Sequence, residues 1–232
     1  MLPMAPSGER PEHISEFYVR AFAESLGIDA GQSDVTAVWL TPTAEDQWAG
    51  RDRLAGVGVN ADAAIAILHP GSGGRHKCWY YENFISAAEQ LAARGVQPIF
   101  LLGPAEEDRL GATVQRRFEA AAPVLRGLTL TEVVQVLSQA DVFIGNDSGV
   151  SHIAGAMGKK AVAIFGPTDP ILYRPLGPAV TVFIAKAEGF ESPSVDDAAA
   201  LFSQIDTLLG MRLCQGKISS PSCRAISRMG RV

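Results

Sequence analysis

The sequence lacks the features that mark several large protein classes. It has three cysteines, and none of them forms a CxxC pair or a spacing typical of metal ligands. So few cysteines, odd in number, in a chain of 232 residues favour a reducing compartment. No apolar run approaches the ~20 residues of a membrane-spanning helix, and the N-terminal residues lack the apolar core of a signal peptide. These absences predict a soluble, cytoplasmic protein without a bound metal.

An excess of basic residues is also missing. The net charge of −5 argues against a nucleic-acid partner, because phosphate backbones require a basic surface. Residues 211–232 are the exception, since they contain five basic residues and no acidic one. We predict a disordered tail there. Contact of this tail with an anionic membrane surface, as a peripheral protein at the inner membrane face, is the functional alternative.

The rest of the chain has the composition of a globular protein, with 47% hydrophobic and 19% charged residues. From Ala63 to Leu209, short apolar runs alternate with segments of helical periodicity. This alternation predicts an α/β fold, Rossmann-like, with a parallel sheet and helices on both faces. Residues 1–62 are predicted to be a helix over 14–26, a short strand or linker over 34–42, and a weak helix and loop over 44–60. The predicted organisation is therefore 1–62 as an interdomain segment, 63–210 as the domain and 211–232 as the tail.

One stretch, from Val142 to Gly158, combines an apolar strand, a polar turn and a helix start. Asp147 or Ser148 can cap the helix, and Gly149 lets a ligand approach the backbone. His152 lies one turn further on the same face. Free N–H groups at a helix N-terminus attract a phosphate or a carboxylate. The alternative interpretation is an ordinary capped helix with a surface histidine.

Three further loops follow predicted strands. The first, Pro70–Gly74, contains Ser72 and precedes Arg75, His76 and Lys77; it is neither a GxGxxG fingerprint nor a Walker loop. It is either a phosphate-binding loop beside cations or a glycine turn beside solvated charges. The others begin at Gly103, with Glu106, and at Gly166. Loops after parallel strands meet at one edge of the sheet, where ligands bind. A nucleotide or another phosphate ester is the expected ligand.

The motifs that carry a resemblance are His69-Pro70-Gly71 with Lys77-x-Trp79, Gly103-Pro104-Ala105-Glu106, Asn146-Asp147-Ser148-Gly149-x-x-His152 and Phe165-Gly166-Pro167-Thr168-Asp169-Pro170. In this order they resemble the C-terminal half of glycosyltransferase family 9, which includes ADP-heptose:lipopolysaccharide heptosyltransferases. The resemblance covers Ala63 to about Leu209, and more loosely His13 to Pro42.

The resemblance implies the C-terminal domain of a two-domain GT-B fold that binds a nucleotide-sugar, here ADP-heptose-like. By this resemblance Lys77 would contact the diphosphate or sugar, Glu106 the ribose and Leu128 the base. Asp147 to Gly149, with His152, would hold the diphosphate–sugar region. No cofactor is implied.

The departure from the family is the N-terminal domain, which binds the acceptor and carries the proposed catalytic base. Nothing in the sequence corresponds to it, so no catalytic residue is predicted. We expect the donor-binding half of an inverting glycosyltransferase that reaches a lipopolysaccharide-core acceptor through the missing domain. The outer face of the helix over 14–26 is then expected to be apolar and exposed.

A stand-alone, non-catalytic nucleotide-sugar binding module is the main alternative. A nucleotide-sugar epimerase of GT-B shape is another. A dinucleotide oxidoreductase is disfavoured, because the third glycine and the ribose carboxylate are not evident.

Overall fold

The computed structural model describes residues 6, 11–31, 37–60, 62–103, 106 and 110–210. Within them, six strands form one parallel sheet in the order β3-β2-β1-β4-β5-β6. The strands are β1 Ile65–His69, β2 Gln97–Leu102, β3 Val124–Arg126, β4 Val142–Asn146, β5 Ala161–Phe165 and β6 Val180–Ile184. The order reverses between β1 and β4, which makes their carboxyl ends the switch point of the sheet.

Eight α-helices surround the sheet in the described residues. They are α1 Ile14–Leu26, α2 Ala44–Gly56, α3 Tyr81–Ala93, α4 Ala112–Ala121, α5 Leu130–Ser138, α6 Gly149–Ala156, α7 Pro170–Tyr173 and α8 Val195–Leu209. Two short 3-10 turns lie at Arg75–Lys77 and Ala187–Phe190. In this part of the chain no helix is both long and apolar enough to cross a bilayer. The predicted tail, 211–232, lies outside the described residues.

Helices cover both faces of the sheet, which is why the strands are buried along most of their length. One core cluster contains Phe84, Phe100 and Leu201, from α3, β2 and α8. The other contains Leu54, Val136 and Phe143, from α2, α5 and β4. A strand covered on two sides must be apolar at successive positions, and β1, β4 and β5 are buried at every residue. The predicted α/β fold with a parallel sheet and helices on both faces is confirmed.

Helix α2 is better formed than its polar sequence suggests. Thr43 and Asp46 make a reciprocal capping box at its start. Gly50 faces α5 so closely that a Cβ atom there would lie 2.0 Å from the backbone oxygen of Gln135. Because this helix also buries Leu54 completely, it is part of the core on that face. The division of the chain at residue 62 stays a prediction, and α2, which precedes that residue, contributes to the core of the domain.

Helix α1 has one buried and one exposed apolar face. Gly27 ends it in a left-handed conformation, which agrees with the predicted helix over 14–26. Phe17 and Ala21 are buried, whereas Tyr18, Val19, Phe22 and Leu26 are exposed, Leu26 to 69%. Residues 37–43 form neither a helix nor a strand, and the N–H groups of Trp39 and Leu40 donate to the carbonyl of Ala156.

Candidate functional site

The loops after β1, β2, β4 and β5 open at one edge of the sheet. The strand pairing puts His69 beside Gly145 and Asn146 beside Ile164, so the ends of β1, β4 and β5 are level. Asn146 then fastens the first loop to the end of β4. Its Oδ1 accepts from the N–H of Trp79 at 3.0 Å, and its Nδ2 donates to the carbonyl of Pro70 at 2.7 Å.

The turn after β4 has the geometry of an anion site. Ser148 is the N-cap of α6, and its Oγ accepts from the N–H of Ser151. Gly149 is the first helical residue, with open space where its Cβ would lie. A ligand can therefore approach the first N–H groups of α6, where the helix dipole favours negative charge.

Asp147 joins three of the loops. The Oγ of Ser72 donates to its backbone carbonyl at 2.6 Å. Its carboxylate Oδ2 accepts from Lys77 Nζ at 3.1 Å and from Thr168 Oγ1 at 3.0 Å. The Asp147 side chain is 8% exposed and that of Lys77 is 31% exposed. Asp147 thus fixes the Lys77 ammonium at the edge of the sheet while part of the lysine stays open to solvent.

Two histidines flank this turn. His69, the last residue of β1, is buried, and its Nδ1 lies 3.3 Å from Ser148 Oγ. Burial lowers the pKa of His69 to about 4. Partial desolvation also lowers the pKa of His152; the Asp147 charge and the Tyr173 backbone act in the opposite direction. Both imidazoles are therefore mainly neutral at pH 7, so they contribute hydrogen-bonding groups rather than fixed charge.

Glu106 reaches into the same edge from the loop after β2. It is buried, and its Oε2 accepts from the N–H of Gly103 at 2.8 Å. A Cβ on Gly71 would lie 2.2 Å from the Glu106 carboxyl carbon. The glycine at 71 is therefore what lets this carboxylate contact the loop after β1.

Leu128 is the predicted site residue that lies farthest from Asp147 along the sheet. It follows β3, which is three strands from β4 in the sheet order. It is half-buried and packs against the core cluster of Leu54 and Val136. Its predicted contact with a base stays a prediction.

A cavity of about 480 Å³ adjoins the edge on the side of α3 and α4. Glu106, Pro70 and Arg75 line it together with the aromatic residues Tyr80 and Phe118. Neither Lys77 nor Asp147 lines it. It lies beside the anion site, next to the loop whose residues 104, 105 and 107–109 are outside the described part of the chain.

The sequence prediction placed Ser72, Lys77, Glu106, Asp147, Ser148, Gly149 and His152 at one edge, and the structure brings them there. It omitted His69, Asn146 and Thr168 from the site, although all three belong to the motifs that carried the resemblance. Each acts through a neighbour rather than through an exposed group, which the linear pattern does not reveal. Among the described residues, no group of three or more potential metal ligands is assembled.

Comparison with known proteins identifies one protein family that matches most of the chain. Residues 7–200 match the model of glycosyltransferase family 9 (heptosyltransferase). Lipopolysaccharide heptosyltransferase 3 of Escherichia coli K12 is 31% identical over 156 residues, which are 66% of this chain and 44% of the relative. The chain thus spans less than half the length of that relative.

Two solved structures share the fold. The glycosyl transferase family 9 protein of Veillonella parvula has a TM-score of 0.69 at 19% identity, over 90% of this chain and 63% of its own. The E. coli heptosyltransferase WaaC with ADP has a TM-score of 0.61 at 24% identity, over 86% of this chain and 57% of its own. These likenesses support the Rossmann-like α/β fold.

Proposed function

The chain belongs to glycosyltransferase family 9, and from this premise we propose that it is the donor-binding half of an inverting glycosyltransferase of lipopolysaccharide-core synthesis. The donor in this proposal is a nucleotide-sugar of the ADP-heptose type. Support comes from the relatives, which are named as lipopolysaccharide heptosyltransferases, and from the WaaC structure, which is of a complex with ADP.

The observation that carries the proposal is the Lys77–Asp147 pair beside the open N-terminus of α6. Lys77 is held at 3.1 Å by a carboxylate that is itself fixed by Thr168. A phosphate group bound at Gly149 would meet helix N–H groups on one side and this ammonium on the other. Such an arrangement stabilises the negative charge that grows on a departing diphosphate.

The remaining site residues take the parts that the family resemblance suggests. Glu106 would accept hydrogen bonds from ribose hydroxyls, and Leu128 would contact the base. Ser148 and His152 would contact the diphosphate–sugar region with Asp147, while Ser72 keeps the first loop attached to Asp147. These roles are all on the donor side of the reaction.

Transfer requires an acceptor hydroxyl aligned with the anomeric carbon and deprotonated as it attacks. We propose that a second Rossmann-like domain provides the acceptor site and the base, and that it docks on the exposed face of α1. The exposed side chains Phe22 and Leu26 give this face an apolar surface of the kind that proteins cover with a partner. Lipopolysaccharide core is the proposed acceptor. The predicted cytoplasmic location and contact with the inner membrane face belong to the same proposal.

The first test is calorimetric titration of the chain with ADP. We expect binding in the unaltered chain, and an affinity roughly 10- to 100-fold lower in Lys77→Met, as expected for the loss of a charge-assisted hydrogen bond. AMP should lose less affinity than ADP, because Lys77 is placed to meet the diphosphate. Lys186→Met is the matched control, since Lys186 pairs with Asp196 on the exposed surface beyond β6. Equal affinities of all three proteins for ADP would place the donor site elsewhere.

The second test separates half-enzyme from binding module. The chain is incubated with ADP-heptose and a lipid A–core acceptor, alone and with an N-terminal domain of the family added in trans. Transfer only after this addition supports the half-enzyme. Donor binding without transfer in either case favours the non-catalytic module.

A further inference from the structure

Both ring nitrogens of His13 take part in hydrogen bonds. It is the N-cap of α1 and is 6% exposed. Its Nε2 lies 2.9 Å from the carbonyl oxygen of Arg174, 161 positions along the chain. A carbonyl only accepts, so Nε2 carries the proton. Nδ1 is then the acceptor, both for the Ser15 hydroxyl at 2.7 Å and for the N–H of Ser15 at 3.3 Å, which caps the helix.

The carbonyl that His13 holds belongs to the segment next to Lys77. Tyr173 is the last residue of α7 and Arg174 follows in an extended conformation. The carbonyls at a helix end have no partners within the helix, so other groups must supply donors. The Tyr173 backbone is close enough to His152 of α6 to act on the pKa of that histidine, and His13 from α1 hydrogen-bonds the carbonyl of Arg174. His13 therefore supplies the donor for the carbonyl of Arg174, and His152 lies beside the preceding residue.

The same segment contacts the anion site through the ring of Tyr173. Lys77 Nζ lies 6.0 Å from the centre of the Tyr173 ring, within the range of a cation–π contact. Thr168, in the loop that leads to α7, donates to the carboxylate that holds Lys77. A displacement of the Tyr173–Arg174 segment would therefore reach Lys77 from two directions.

We infer that His13 is a positioning residue of the donor site. By holding the carbonyl of Arg174, it fixes Tyr173 against Lys77 and ties the orientation of α1 to the site that binds the nucleotide diphosphate. The inference rests on the proposed function and deepens it. It makes α1 the element through which a partner seated on that helix acts on donor affinity.

Two substitutions separate the hydrogen bonds of Nδ1 from the one of Nε2. In His13→Asn the amide oxygen replaces Nδ1 and caps α1, but the side chain is too short to reach Arg174. In His13→Gln the amide nitrogen replaces Nε2 and donates to Arg174, while the helix cap is lost. We expect His13→Asn to bind ADP roughly 2- to 10-fold more weakly than the unaltered chain, the range for one lost hydrogen bond. His13→Gln should keep the affinity but melt at a lower temperature.

The outcomes separate this inference from the proposed function. Failure of the unaltered chain to bind ADP overturns the proposed function and the inference with it. If the unaltered chain binds ADP and His13→Asn binds it with equal affinity, the inference alone is overturned. The same holds if His13→Asn keeps its affinity for ADP while His13→Gln loses it. Should His13→Asn fail to fold, hydrogen exchange in the unaltered chain decides. ADP must slow exchange of the Tyr173 and Arg174 amides, and unchanged exchange refutes the inference.

Discussion

The buried His69 predicts a specific loss of stability in mild acid. The residue is 7% exposed, and burial lowers its pKa from 6.5 to about 4. A histidine whose folded pKa is lowered is stabilising when neutral, because the unfolded chain binds the proton more tightly. Stability is therefore highest above pH 6.5 and falls as the pH decreases toward 4. The full cost below both pKa values is about 3 kcal/mol, of which about 2 kcal/mol appears between pH 7 and pH 5.

The assay is urea denaturation at both pH values, with His69→Gln as the comparison. Glutamine keeps a hydrogen-bonding side chain beside Ser148 but does not titrate in this range. Other titrating groups are common to both proteins, so the difference between their pH dependences isolates His69. We expect the free energy of unfolding to fall by about 2 kcal/mol more in the unaltered chain than in the variant. Parallel pH dependences would refute the reasoning and show that the buried ring keeps an ordinary pKa.

Two glycines give further predictions. Gly50→Ala should lower the free energy of unfolding by ~1–3 kcal/mol, the usual cost of overpacking, because its Cβ would meet the backbone of α5 at 2.0 Å. Gly56→Ala in the same helix has no atom within 4 Å and should be neutral or stabilising in the same denaturation assay. Gly71→Ala should displace the Glu106 carboxylate, reducing ADP affinity with little effect on the melting temperature, whereas Gly73→Ala, in open space, should change neither. Normal ADP affinity in Gly71→Ala would remove Glu106 from the site.

The sequence was sufficient for the sheet and for the edge where the loops meet. Hydrophobic periodicity and helix-ending residues carry that information. Buried strands are continuous apolar runs, and Gly27 and Gly210 end α1 and α8 in left-handed conformations. It was less informative about short or polar elements. Strand β3 has three residues, too few for a periodic signal. Helix α2 is polar, and its packing depends on a small residue, Gly50, that no hydrophobic pattern reveals.

Within the site, sequence identified the groups that face a ligand better than those that hold them. Lys77 and Ser148 follow strands and are visible as a cation and a cap. Thr168 and His13 matter through partners 21 and 161 positions away. Contacts over such separations are set by topology and register, which one sequence does not encode in any local pattern. This is why the sequence indicates His13 only as the residue before the predicted helix over 14–26.

The switch between β1 and β4 has a consequence for the order in which the site comes into being. β1 to β3 and β4 to β6 are consecutive in the chain, and the two sets meet at the β1–β4 pair. Ser72 and Lys77 belong to the first set, Asp147 and Thr168 to the second. The hydrogen bonds of Ser72, Lys77 and Thr168 to Asp147 therefore cannot all form until the two sets have joined. Lys77 and Asp147 are 70 positions apart, and closing a loop of that length costs entropy that local contacts do not. A nascent chain can complete its first three strands while remaining unable to recognise its ligand.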